Sequence, residues 1–161
     1  HGGAGAVGGM AIQLAKQTGC HVYTTCGANN RAYVADLGAD EVIAYDEVNF
    51  IDTLSDMDVV LDLIGGDIHE KSCRVLKPGG TVFWLIAAPF KDLSTRYGVN
   101  CQQVIIHDRR STLESVAEAV RLGTLRPQVS RTLPMRDAAE AHRILERGEN
   151  SRGRIILNIG E

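Results

Sequence analysis

The sequence predicts a doubly wound α/β domain built on a parallel sheet. Three observations lead there. Strand-like and helix-like segments alternate along most of the chain, which implies right-handed crossovers between parallel strands. Asp58 to Ile64 and Thr81 to Ala87 are nearly continuous apolar runs, as strands covered on both faces are. A glycine-rich turn, Gly3-Ala4-Gly5-Ala6-Val7-Gly8, opens an amphipathic segment.

The elements follow in order. Val7, Met10, Ala11, Leu14 and Ala15 fall on one helical stripe, so a helix is expected from Val7 to Thr18, with Gly19 at its C′ position. Cys20 to Cys26 is rich in β-branched and aromatic residues and reads as a strand. Asn29 or Asn30 can cap a second helix running to Leu37 and stopped by Gly38. Glu41 to Tyr45 reads as a short strand and Phe50 to Ser55 as a helical turn. The buried strand Asp58 to Ile64 closes on Gly65-Gly66, and a helix from about Asp67 to Leu76 follows. Lys77-Pro78-Gly79-Gly80 is a turn before the strand Thr81 to Ala87. Further on come a strand from Gln102 to His107, a helix from Thr112 to Leu122, a helix from about Asp137 to Arg147 and a strand from Arg154 to Ile159. Pro127 and Pro134 mark a change of organisation, so residues 1–125 are read as the sheet domain and 126–161 as a separate C-terminal segment.

The first turn reads as the exit from a strand that would lie upstream of His1. On that ground the chain is expected to be a piece of a longer protein whose first strand is missing here.

Composition narrows the function classes. The 161 residues carry 17 Lys+Arg and 20 Asp+Glu, a net charge of −3, which leaves no electrostatic footprint for nucleic acid or an anionic membrane. Aromatics are only 5%, too few for a base-stacking platform. No apolar run is long enough to span a bilayer. Cys20, Cys26, Cys73 and Cys101 have no zinc-knuckle spacing and read as buried thiols in a reducing, cytosolic compartment. His1, His21, His69, His107 and His142 suggest no metal site or Ser/His/Asp triad, so no metal-ligating set is expected. Asp58 and Asp62 lie four apart on one face of a strand. Asp58 reads as the polar entrance of the strand and Asp62 as a residue satisfied by backbone near the site, not as a hydrolytic carboxylate pair.

The turn carries the chemistry. Gly3-Ala4-Gly5-Ala6-Val7-Gly8 matches G-x-G-x-x-G, at the start of a helix and ahead of a strand, the context of a Rossmann dinucleotide site. Glycines let backbone approach a pyrophosphate, and the helix N-terminus offers free N–H groups and a positive dipole end. No Gly-Lys-Ser/Thr follows, so a P-loop is disfavoured. The end of the next strand, Thr25-Cys26-Gly27-Ala28-Asn29-Asn30-Arg31, lacks the carboxylate that usually accepts from an NAD ribose, and offers one guanidinium, Arg31, that can pair with a 2′-phosphate. NADPH is the cofactor expected.

The segments His1 to Gly8, Leu37-Gly38-Ala39-Asp40, Asp58 to Asp62, Leu76 to Gly80, Gly123 to Pro127, Ala138 to His142 and Arg152 to Leu157 together resemble the C-terminal half of a medium-chain dehydrogenase/reductase. More closely they resemble the zinc-independent NADPH:quinone oxidoreductase, or zeta-crystallin-like, branch. The resemblance spans essentially the whole chain. It implies that Gly5, Ala6, Val7 and Gly8 lie on the pyrophosphate. Gly27, Arg31 and Tyr45 would surround the adenosine phosphate, and Leu63, Ile64 and Gly65 would lie near the ribose and nicotinamide. Trp84, Leu85 and Ile86 would line the nicotinamide end. Two positions depart from the pattern: Ala28 stands where a Ser or Thr often helps bind the phosphate, and Leu85-Ile86 replace a usual glycine.

The resemblance further implies hydride transfer from NADPH to a quinone or an α,β-unsaturated carbonyl. The substrate pocket would form against an absent N-terminal, GroES-like half, onto which residues 126–161 would partly pack. No catalytic residue is identifiable, and this chain alone is expected to be inactive. A homodimer through the edge strand 102–107 is expected. The alternatives are a zinc-dependent alcohol dehydrogenase of the same superfamily, an enoyl-reductase domain of a multifunctional synthase, and a non-catalytic NADPH-sensing module.

Overall fold

The computed structural model describes residues 1–85, 89, 91–106 and 109–160. Helix α1 spans Ala6–Gln17. It ends as the sequence implies: Gly19 N–H donates to Lys16 O (3.1 Å) and Cys20 N–H to Ala15 O (3.1 Å), a Schellman closure with Gly19 at φ 80°. Strand β1 (Tyr23–Cys26) is followed by a 3₁₀ turn (Ala28–Asn30), α2 (Arg31–Asp36) and β2 (Glu41–Ala44). A 3₁₀ turn at Phe50–Asp52 leads into β3 (Met57–Asp62), α3 (Asp67–Val75) and β4 (Leu76–Trp84). Then come α4 (Ser94–Tyr97), β5 (Asn100–Gln103) and α5 (Arg110–Arg121). The chain closes with β6 (Val129–Pro134), α6 (Ala138–Glu146) and β7 (Arg154–Asn158).

Every ladder among the described residues is parallel: β1 with β2, β3 with β4, β4 with β5, and β6 with β7. Parallel neighbours joined through helices are the Rossmann-type arrangement expected. Two apolar cores serve it. Ile12, Cys26, Val34 and Leu37 pack around β1, whereas Phe50, Val60, Val75, Val82, Leu93 and Val99 pack around β3 and β4.

Between β1 and β3 lies a cavity of about 650 Å³, lined by Ile12, Thr24, Val60 and Leu61 among others. His1 and Gly3 lie across its end. The His1 α-nitrogen donates to Leu61 O of β3 (2.8 Å), and Gly3 N–H donates to Thr25 O of β1 (3.0 Å). The slot thus has strand edges on both sides and the glycine turn at its mouth.

Several elements differ from the sequence reading. Lys77-Pro78-Gly79-Gly80 falls inside β4, but as an irregularity: Leu76 pairs with Met57 and Thr81 with Val59, so the four residues between are looped out of register. The strand expected at 102–107 is β5 at Asn100–Gln103. Its ladder ends where Trp84 pairs with Gln103, after which Val104 N–H makes one more bond to Trp84 O (2.9 Å). Val104, Ile105 and Ile106 therefore stand exposed beyond the ladder, and His107 lies outside the described residues. The stretch between Pro127 and Pro134, for which the sequence reading names no element, contains β6, which forms with α6 and β7 a small βαβ unit. This unit is tied to the first turn. Gly153 N–H donates to Ala4 O (2.9 Å), and the buried Gln13 amide exchanges bonds with the Arg126 backbone (2.8 and 3.0 Å).

Candidate functional site

The site is built on the glycine turn. Gly2 adopts φ 72° and its carbonyl accepts from Gly5 N–H (3.0 Å), which folds the chain back before α1 begins. A side chain at Gly3 would collide with Thr24 Oγ1 and sit 3.0 Å from Ile12 Cδ1. One at Gly8 would overlap Gly2 O and lie 2.8 Å from Gly3 Cα. The first and third glycines of the motif are thus required by close packing of turn against helix.

Gly5 is the N-cap of α1, extended at φ −70°, ψ 167°, with no side chain capping it and no acid in the first turn. Gly9 N–H is the first amide to enter the helical ladder, bonding Gly5 O (2.9 Å). The Val7 and Gly8 amides make no hydrogen bond among the described residues, and Gly5 and Val7 are exposed. Two unpartnered N–H groups and the dipole end of a twelve-residue helix fit the pyrophosphate of a dinucleotide. These residues would hold such a cofactor, which supplies the hydride chemistry when bound.

The adenosine end is more acidic than the local sequence suggests. Ala28 N–H donates to both oxygens of Asp46 (3.0 and 3.2 Å), and the Arg31 guanidinium pairs with Glu47 at 2.5 Å. The absence of a carboxylate holds along residues 22–35, but the loop after β2 delivers two. Tyr45 is exposed, and its ring lies beside Gly27. A second cation also reaches this corner: Arg152 of the C-terminal segment lies 5.2 Å from the Tyr33 ring centroid, and Asn30 Nδ2 donates to Ser151 O (3.1 Å). Sequence reasoning missed Arg152, since nothing local relates it to α2.

At the nicotinamide end, Asp62 is fully buried and its Oδ1 accepts from Ile64 and Gly65 N–H, both at 2.9 Å. This is the backbone-satisfying role expected of it, and it shapes the turn carrying Leu63, Ile64 and Gly65. Asp58 is exposed and pairs with Lys77, as a polar strand entrance does. Leu85 N–H donates to Asp62 O (3.2 Å). The Trp84 side chain corrects an expectation. Rather than lining the nicotinamide end, it is 3% exposed and stands edge-on to the His69 ring, with centroids 4.3 Å apart at 81°. The inward alternation along β4 puts its indole in the core. Ile86 lies outside the described residues.

The cysteines and histidines also differ from the reading. Cys20 is exposed, Cys26 and Cys73 are buried, and Cys101 is half-buried, all as free thiols. His69, Cys73 and Cys101 come together, with donor atoms all within 4.8 Å of one another. The only hint in the sequence was that His69 and Cys73 lie four apart on one helix.

A glycine cradle opening a helix, on parallel sheet ladders, defines the class of nucleotide-binding Rossmann domains. The chain belongs to the zinc-binding dehydrogenase family of the medium-chain dehydrogenase/reductase superfamily, whose family model, described as zinc-binding dehydrogenase, matches residues 37–157. It is 33% identical to the mitochondrial NAD(P)H oxidoreductase RTN4IP1 of Danio rerio, over 99% of this chain and 48% of that protein. Its fold superposes on the quinone oxidoreductase of Coxiella burnetii with a TM-score of 0.87 and 31% identity, covering 98% of this chain and 50% of the other. The quinone oxidoreductase of Escherichia coli complexed with NADPH gives a TM-score of 0.85 and 26% identity, over 99% and 56%. The chain thus spans about half the length of the relatives it matches. Among the described residues no helix is long and apolar enough to cross a membrane.

Proposed function

We propose that the protein containing this chain is an NADPH-dependent oxidoreductase that transfers hydride to a quinone or an α,β-unsaturated carbonyl, this chain holding the cofactor. The observation that carries the reading is the pair of uncommitted amides, Val7 and Gly8, at the start of α1, behind a turn with no room for side chains at Gly3 and Gly8. The NAD(P)H and quinone oxidoreductase names of the relatives support the reaction class. The bound nicotinamide would supply the hydride. The residues here would grip its phosphates and orient it.

Arg31 is the candidate for NADPH preference. Its pairing with Glu47 is solvent-exposed, 46% and 48% on the two side chains, and such pairs contribute only about 0–1 kcal/mol. A 2′-phosphate, carrying close to two charges, competes favourably with one carboxylate for the guanidinium. Arg152 supports it from the C-terminal segment; Asp46 opposes it. The test is titration of full-length protein, wild type and Arg31→Ala, with NADPH and NADH. NADPH binding should weaken roughly tenfold to a hundredfold, with NADH nearly unchanged. Tighter NADH binding by the wild type, or equal loss of both, would remove the NADPH assignment. Turnover with quinone and enone acceptors separates an enzyme from a sensing module.

The same reading takes the exposed segment after β5 as a sheet edge that a second copy covers, and the cytosol as the compartment. Subcellular fractionation decides between the cytosol and the mitochondrial location named for the Danio rerio relative.

A further inference from the structure

We propose that His69, Cys73 and Cys101 form a buried binding site for a divalent, thiophilic metal ion of the zinc class. The site is separate from the cofactor turn and rests on none of the functional reading above.

The donors come from two elements locked together by the fold. His69 and Cys73 sit four apart on α3 and share a helix face; Cys101 lies on β5. The two sulfurs are 3.9 Å apart, and the imidazole donor lies within 4.8 Å of both. Zinc–sulfur bonds of about 2.3 Å and a trigonal or tetrahedral angle place two thiolates roughly 3.8–4.0 Å apart. The sulfur pair therefore already has the span of two ligands on one ion. The imidazole has to close by up to about an ångström.

Both ring nitrogens of His69 face oxygen atoms, one of which an ion would displace. Its Nδ1 lies 3.3 Å from Asp62 Oδ2 and its Nε2 3.0 Å from Lys91 O. An ion takes one ring nitrogen and leaves the other against its oxygen partner, which fixes the ring plane. Trp84, edge-on to the ring, and the 1% exposure of both His69 and Cys73 keep bulk water from these two donors.

Charge selects the ion. Binding releases a proton from each thiol, and two thiolates with a neutral imidazole carry a charge of −2, which a divalent ion cancels. Hard cations are excluded by the soft donor set.

The experiment uses full-length protein, reduced and freed of metal by a chelator, then titrated with cobalt(II). The expected result is a thiolate-to-cobalt charge-transfer band saturating at about one equivalent beyond any site that survives in a Cys73→Ser/Cys101→Ser double variant, and bleached by zinc. Cys101→Ser should weaken that component at least tenfold, and His69→Gln should shift its d–d spectrum. Cys20→Ser should leave it unchanged. Cys101 is half-exposed, so its single variant keeps the test decisive should the buried Cys73→Ser fail to fold. A wild-type titration superimposing on that of Cys101→Ser overturns the proposal.

Discussion

Replacing Gly8 by alanine tests the turn most sharply, because Gly9 supplies an internal control in the same helix. Alanine at either position gains about 1 kcal/mol of helix propensity. At Gly9 the new methyl meets Leu37 Cδ1 at 3.0 Å and Gln128 Cγ at 3.2 Å, side-chain atoms that need give way by only a few tenths of an ångström. At Gly8 it meets Gly2 O, Gly3 Cα (2.8 Å) and Gly2 C (2.9 Å), all main chain. That main chain is pinned by Gly5 N–H to Gly2 O and by Gly3 N–H to Thr25 O, both at 3.0 Å. Overpacking costs about 1–3 kcal/mol, and here the upper end applies because no rotamer relieves it. Setting about 1 kcal/mol of propensity against it leaves Gly8→Ala roughly 1–2 kcal/mol less stable by urea denaturation, and Gly9→Ala within about 1 kcal/mol of wild type. The displaced turn also carries the amides of Ala6 to Gly8 out of position. Isothermal titration should find dinucleotide affinity reduced at least about tenfold in Gly8→Ala, the effect of losing one charge-assisted hydrogen bond. A Gly8→Ala protein with wild-type stability and wild-type affinity would refute the close-packing argument.

Asp40 accepts from Lys16 Nζ (2.8 Å) and from Val22 N–H (2.7 Å), and these bonds, the lysine first, hold its carboxyl below the ordinary 3.8. A depressed folded value means stability present above 3.8 and lost as pH falls through the folded value, so Asp40→Asn should flatten the acid limb of the stability–pH curve, measured by denaturation at stepped pH. An unaltered acid limb would show that the pair is not formed. Iodoacetamide at neutral pH should label the exposed Cys20 first and leave Cys26 and Cys73 unlabelled until denaturant is added, read by peptide mass spectrometry. Burial raises both inner thiols, so early labelling of Cys73 would show that α3 opens from the sheet. Ile105 is 72% exposed next to the β5 edge, and Ile105→Lys should lower the mass of the full-length protein in solution from dimer to monomer by light scattering. A wild type already monomeric at high concentration, or an unchanged dimer, would exclude this edge as the interface.

What residues 1–161 determine by themselves is the local grammar. The 3.6-residue stripe before Gly19, the nearly continuous apolar run of β3 and the glycine turn each depend on neighbours within a few positions. The helix, its Schellman closure and the parallel ladders follow accordingly. Even Asp62 was legible, because its partners are the amides two and three residues ahead. What depended on distant segments was decided only by the tertiary structure. The run Val104-Ile105-Ile106 has strong strand propensity, yet β5 stops at Gln103, opposite Trp84 of β4. The polar β6 is a strand only because β7, more than twenty residues later, pairs with it. Asp46 and Glu47 reach Ala28 and Arg31 across sixteen to eighteen residues of chain, and so change the charge around a guanidinium that looked free. Cys101 meets His69 and Cys73 because β4 and β5 lie side by side under α3. Periodicity reports which face of an element is buried. It carries no information about which distant charge or thiol the fold will set against that face.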